Sequence, residues 1–235
     1  MAMWIFGYAS LIWKTGFDYD DRIVGFIKGY RRTFHLACYE HRGTDELPAR
    51  VSTLEPDEEA ICWGVAYCIK DGVAAEKAMS YLSVRESEYD MINTIEFFTE
   101  DSPDVPVLSE VLVFMSTLDK SNNRYYLGAA PKEDIALQIA TATGPCGPNC
   151  DYLFRLVEAL REIGHEDKDV TELASSVRKI IDERKMQNKQ SNASLNPVSL
   201  FASQNLVPKP HLMVPAPVQM GSLRHSPRLL KSQAR

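Results

Sequence analysis

WIFGYASLIW, Trp4 to Trp13, is the stretch from which the rest of the chain is read. Trp4, Ile5 and Phe6 form an apolar strand. It ends abruptly in Gly7-Tyr8-Ala9-Ser10, and the chain turns apolar again at Leu11. Small residues at a strand end let a ligand approach the backbone closely. Amide N–H groups in such a turn converge on an anion or a polarised carbonyl, as in a nest. The residues alone leave a second reading open, in which a strand, a tight turn and core packing give the same pattern.

A length of 235 residues suggests one domain plus an appendage. Hydrophobic residues at 45% and charged residues at 25% place the chain among soluble globular proteins. The apolar start has no basic flank and no cleavage pattern, and it is too short to cross a bilayer. It reads as a buried first strand, so the expected location is the cytoplasm, with no membrane partner. Cys38, Cys62, Cys68, Cys146 and Cys150 are odd in number and scattered. Cys62 and Cys68 lie an even number of positions apart in one strand pattern, as small core residues. Cys146 and Cys150 lack a second ligand pair, so no metal site is expected, and reduced thiols fit the cytosol.

Strand-like runs come first: Arg22–Ile27, Arg32–Tyr39, Arg50–Leu54, Ala60–Ile69, Met91–Phe98 and Glu110–Met115. Gly43, Pro48, Pro56, Pro103 and Pro106 supply turn signals between them. One helix interrupts the series at Val73–Glu86. Three more follow at Pro131–Thr143, Asp151–Ile163 and Val170–Lys185, with Pro131 suited to a first helical turn. Strands early and helices late define an α+β class.

The folded domain is expected over residues 1–185. Residues 186–235 are rich in Asn, Ser, Gln and Pro and too poor in apolar side chains to offset chain entropy, so a disordered tail is expected. Every charged residue from Lys185 onward is basic, whereas the whole chain has a formal net charge of −6. The acidity therefore sits in the body, which argues against nucleic acid as a partner. The tail's own partner is unassigned.

Glu86 stands out within the first helix. Ala75, Met79 and Leu82 form one apolar stripe, and Glu86 follows Leu82 by one helical turn on the same face. A carboxylate there is withdrawn from water and sits at the negative end of the helix. Both effects disfavour ionisation and make a stronger base near neutral pH. A frayed end with Glu86 pairing to Arg85 is the alternative. Glu88 reads as a surface residue beyond the helix.

The opening run resembles the N-terminal signature of the ChaC-like γ-glutamylcyclotransferases, whose heart is Tyr-Gly-Ser-Leu. YEHRGT (Tyr39 to Thr44), CWGVAY (Cys62 to Tyr67), YLSVRESEYD (Tyr81 to Asp90), YYLGAAP (Tyr125 to Pro131) and QIATATGPCGPN (Gln138 to Asn149) match in the same order. The likeness spans residues 3–184 and includes the plant-type, glutathione-specific members. It implies a small, mostly antiparallel β-barrel with helices packed outside. It implies Glu86 as proton acceptor, with Ile5, Phe6, Gly7, Tyr8, Ala9, Ser10 and Leu11 as the substrate turn and Tyr126 near the substrate. For Tyr126, ordinary aromatic packing remains the alternative. The implied substrate is glutathione or another γ-glutamyl peptide. No cofactor is required by that chemistry; divalent manganese enters through plant relatives alone, and no ligand cluster in the sequence supports it. Arg42 and Arg50 could attract an anionic peptide, although structural ion pairs are the commoner use of such residues. His35 and His41 lack ligand spacing.

Two positions depart from the family. Ala130 stands where Pro is common, which affects loop stiffness. Ala9 stands where the family has Gly. At positive φ its Cβ adds about 1–2 kcal/mol of strain; at negative φ only a methyl near the ligand remains. Two functions follow from the resemblance and its departures: a glutathione-degrading cyclotransferase, or a catalytically weakened protein that binds or senses γ-glutamyl peptides.

Overall fold

The computed structural model describes residues 2–194. In chain order its elements are β1 (Met3–Gly7), a short 3-10 turn (Ser10–Ile12), β2 (Asp21–Cys38), β3 (Ala49–Ile69) and α1 (Gly72–Arg85). There follow β4 (Met91–Phe97), β5 (Leu108–Met115), α2 (Lys132–Thr141), β6 (Thr143–Gly144), β7 (Gly147–Pro148), α3 (Asn149–Glu162) and α4 (Lys168–Ser194).

The short first strand is the middle of the sheet. Five strands run in the order β2-β3-β1-β5-β4, with β1 antiparallel to β3 and parallel to β5. Its two fully buried side chains, Ile5 and Phe6, divide between the faces, as strand alternation requires. Ile5 packs with Leu11, Ile69, Leu82 and Phe114 under α1. Phe6 packs on the other side with Ile27, Leu54, Phe97 and Val113. A third cluster joins β2 and β3 to α2, α3 and α4 through Leu36, Val51, Ile139, Leu153, Leu156 and Val177.

Where the sequence suggests four strands between residues 22 and 69, the structure has one long hairpin of two strands. The pairing steps out of register between Lys28 and Tyr30, where Gly29 takes φ +77. That is a bulge, which bends a strand without ending it. Pro56 pairs opposite Tyr30 in a part of β3 that β1 does not reach, so its missing N–H costs no ladder bond on that side.

The expected barrel is not formed. Strand pairing does not continue from β2 to β4; the two edges meet at one isolated bridge, Phe26 with Phe98. Immediately beyond Phe98 the chain turns back at Thr99–Ser102, so there is no further strand to extend the contact. The sheet is curved and open.

Asp71 starts α1 by accepting a hydrogen bond from the Ala74 amide at 3.1 Å. Ala78 and Leu82 are its buried residues, with Ala75 and Met79 packed against the same cluster. The last helix passes the expected end at Lys185 and continues to Ser194. Met186 to Gln190 contain no Gly or Pro, and extending a formed helix costs little per residue. The rest of the expected tail, from Leu195, lies outside the described residues. Among the described residues, no helix is long and apolar enough to cross a membrane.

Candidate active site

At the end of β1 the chain enters the 3-10 turn with its carbonyls committed to the protein. The Tyr8 carbonyl accepts from Arg32 Nε at 2.8 Å. Ala9 and Ser10 carbonyls accept from the Ile12 and Lys14 amides at 2.9 and 3.0 Å. The Tyr67 hydroxyl lies 3.0 Å from both the Leu11 and the Ile12 carbonyl oxygens. The first amides of such a turn have no partner within it. A close backbone approach fixes its place. A Cβ at Gly64 would meet the Gly7 carbonyl oxygen at 2.3 Å, so only glycine lets β3 pass there.

Glu86 caps the C-terminus of α1, its amide donating to the Leu82 carbonyl at 2.8 Å. It continues the apolar stripe and is only 9% exposed. Arg85 Nε lies 3.3 Å from Oε1, yet without hydrogen-bond geometry, and Oε1 is buried with no hydrogen-bond partner. Burial pushes the carboxyl up to about 7, against the pull of the Arg85 charge and with a smaller push from Glu88.

The turn and the carboxyl share a small cavity of about 10 Å³. Its walls are Phe6, Tyr8, Ala9, Ser10, Leu11 and Glu86, together with Tyr89 and Phe114. The Tyr8 hydroxyl donates to the Phe114 carbonyl at 3.0 Å, and the Tyr89 hydroxyl donates to the Ser52 carbonyl at 2.6 Å. Burial raises both phenols well above their ordinary value, so they stay neutral donors. Glu86 is then the wall residue that exchanges a proton near neutral pH.

Six of the expected site residues therefore meet: Phe6, Tyr8, Ala9, Ser10, Leu11 and Glu86. Ile5 and Gly7 are buried beside the cavity without lining it. Ala9 has φ −133, which removes the strain considered for it and leaves a methyl on the cavity wall. Tyr126 is not on that wall. Its hydroxyl donates to Glu55 Oε1 at 2.9 Å, and His35 Nδ1 lies 2.7 Å from the same oxygen. Arg50 is a structural clamp, donating to Gln138 Oε1 at 2.7 Å and to the Phe34 carbonyl at 2.9 Å. Arg42 donates to the Pro148 carbonyl at 3.2 Å.

Glu88 is not the surface residue that its place beyond the helix suggests; it is 7% exposed. The turn after α1 folds back through the Tyr89 amide, which donates to the Glu86 carbonyl at 2.9 Å. Ser116 Oγ then donates to the Glu88 carbonyl at 3.0 Å and ties the turn to the end of β5. Tyr89 and Phe114 are wall residues that sequence reasoning did not single out. Tyr89 lies inside the quoted YLSVRESEYD segment, three positions after Glu86.

A groove of about 710 Å³ lies elsewhere, between β2, α2 and α4, and shares no wall residue with the small cavity. Size favours it, but chemistry does not. Its acids and bases offset one another, as where Lys132 lies 3.5 Å from Glu172. No group of three or more His, Cys, Asp or Glu among the described residues is placed to hold a metal ion. The cavity wall carries one carboxylate, Glu86, and Ser10 among aromatic and aliphatic side chains, a donor set that does not fit manganese.

A buried carboxyl held near neutrality beside a turn of backbone amides defines an acid–base site on an α+β domain. The chain belongs to the ChaC-like family, whose sequence profile matches residues 3–180. It is 55% identical over 183 residues to gamma-glutamylcyclotransferase 2-1 of Arabidopsis thaliana, covering 77% of this chain and 85% of that one. Glutathione-specific gamma-glutamylcyclotransferase 1 of Homo sapiens is 42% identical over 170 residues, covering 72% and 74%. The crystal structure of a yeast gamma-glutamyl cyclotransferase specific to glutathione superposes with a TM-score of 0.68 at 27% identity, covering 76% and 96%.

Proposed function

We propose that this protein is a γ-glutamylcyclotransferase that cleaves glutathione to 5-oxoproline and cysteinylglycine. The observation that carries the reading is the unbonded, buried Glu86 carboxyl oxygen at a cavity whose other wall is the Tyr8-Ala9-Ser10 turn. The human and yeast relatives named for glutathione favour that substrate.

The substrate carries its own nucleophile. Glu86 takes a proton from the α-ammonium group of the γ-glutamyl residue. The freed amine attacks the γ-carbonyl of the same residue and closes a five-membered lactam. The ring nitrogen gives up its second proton as the bond to cysteinylglycine breaks, and cysteinylglycine leaves as its ammonium form, having taken up that proton and the one held by the Glu86 carboxylic acid. Attack within one residue needs a folded substrate, and a tight pocket supplies that orientation. Turn amides stabilise charge on the carbonyl oxygen or hold the α-carboxylate. A cavity of about 10 Å³ holds about one water, so binding includes a local opening of its wall.

Purified protein incubated with glutathione tests the reading. Equal amounts of 5-oxoproline and cysteinylglycine are expected; intact glutathione after prolonged incubation at pH 8 would refute it. Comparison with γ-glutamyl amino acids then defines how far the site discriminates the leaving half.

A further inference from the structure

Arg32 is the buried cation that touches the turn from outside the cavity. It lies in β2, its side chain is 1% exposed, and it is not among the cavity walls. Its guanidinium is spread over three partners. Nε donates to the Tyr8 carbonyl at 2.8 Å, and Nη2 donates to the Trp63 carbonyl at 2.6 Å. Nη1 pairs with Asp167 Oδ2. Asp167 is itself fixed, because its Oδ1 accepts from the Val170 amide at 3.1 Å at the start of α4. The same loop is held a second time where His165 stacks on the Trp63 ring.

A peptide unit is planar and trans, so its C=O and N–H point in opposite directions. Holding the Tyr8 oxygen from behind turns the Ala9 N–H toward the cavity. If this peptide flipped, a carbonyl oxygen would face the Glu86 carboxyl and the negative charge that develops on the substrate. Arg32 would at the same time lose an acceptor inside the protein, which is costly for a buried cation.

We propose that Arg32, anchored by Asp167, is a positioning residue that locks the Tyr8–Ala9 peptide with the Ala9 N–H aimed at the polarised carbonyl of a γ-glutamyl ligand. This rests on the reading of the cavity as a cyclotransferase site. It adds a residue that touches neither substrate nor Glu86 and acts through the backbone between them.

Arg32→Met and Arg32→Lys test it, with folding checked by circular dichroism and thermal melting. For Arg32→Met, kcat for 5-oxoproline release is expected to fall at least about tenfold. KM should change far less, and the acid limb of the pH profile should stay in place because Glu86 is untouched. Arg32→Lys keeps a donor for the Tyr8 carbonyl and is expected to recover part of the loss. A folded Arg32→Met protein with unchanged kcat overturns the proposal while leaving the cyclotransferase reading intact. A second readout does not depend on turnover: hydrogen exchange of the Ala9 amide with and without glutathione. It is measured in Glu86→Gln and in Glu86→Gln with Arg32→Met. Protection by glutathione in the first and its loss in the second supports the proposal. Equal protection in both, or none in either, overturns it even if the wild-type protein proves inactive.

Discussion

Arg85 and Glu86 are adjacent in sequence and 3.3 Å apart at Nε and Oε1, yet the arginine's hydrogen bonds go elsewhere. Its Nη2 donates to Ser10 Oγ and its Nη1 to the Thr15 carbonyl, both at 2.9 Å. The cation holds the turn that follows β1. Its attraction lowers the Glu86 carboxyl, but burial outweighs it. One residue thus holds the turn and moderates the Glu86 carboxyl, and both effects reach the same cavity.

With Glu86 titrating at about 7, kcat/KM is expected to climb as the carboxyl loses its proton and to fall about tenfold per unit well below that value. Glu86→Gln cannot accept the proton. Its turnover should drop by about 10²–10⁴-fold with glutathione binding retained, measured by 5-oxoproline release and by calorimetry.

The same carboxyl leaves a mark on stability. It titrates near 4.5 when unperturbed and at about 7 in the folded protein, so the folded state holds the proton more tightly. Stability is therefore lost as pH rises from 4.5 through 7, and the full cost, at most about 3 kcal/mol, is present above 7. Glu86→Gln is expected to be more stable than wild type at pH 8 and to lose that advantage towards pH 4.5. Urea unfolding at the two pH values checks the sign.

Gly64→Ala should damage structure and activity together. The added methyl meets the Gly7 carbonyl oxygen at 2.3 Å and the Phe6 ring at 2.7 Å; Gly7 lies in the β1–β3 ladder and Phe6 is fully buried. Overpacking of this kind costs about 1–3 kcal/mol. It also displaces the entry to the turn. A lower melting temperature with reduced 5-oxoproline release is expected; a fully active, equally stable variant would contradict the packing described for β1 and β3.

Ala9→Gly separates strain from space. Because φ is −133, glycine relieves no left-handed strain. Extra freedom in the unfolded chain should cost about 0.5–1 kcal/mol of stability. Any change in turnover then reports the methyl on the cavity wall, and it should appear in KM for glutathione before it appears in kcat.

Much of this was legible in the residues because the signals were local. The Ala75-Met79-Leu82 stripe leads to Glu86, and the structure buries that carboxyl as the spacing requires. The strand-to-turn reading of Trp4 to Ser10 likewise depends on neighbours in sequence. What escaped depended on distant partners. Glu88 follows a helix and looks solvated, but Ser116, far along the chain, draws its turn inward. Pro56 looks like a stop, yet it stays within β3 because β2 and β3 pair on both sides of the irregularity at Gly29. The barrel followed from family likeness, and closure is a matter of how far one edge runs along another. Tyr126 illustrates the remaining difficulty: its sequence position says nothing of Glu55, which takes its hydroxyl.

The single contact between Phe26 and Phe98 bears on how copies of this chain behave when crowded. A long outer strand such as β2 exposes unpaired amides and carbonyls, a template on which another molecule can polymerise. Here Phe26 exchanges both its backbone bonds with Phe98, at 2.8 and 2.9 Å. Further along, the Leu127 amide covers the His35 carbonyl at 2.8 Å, and the Tyr125 carbonyl takes the Ala37 amide at 2.6 Å. Between these patches stand Lys28, Arg31 and the Gly29 bulge, whose charge and twist repel a flat newcomer. An incompletely closed sheet is thereby made inhospitable to fibril growth without the extra strand pairing a full cylinder would demand.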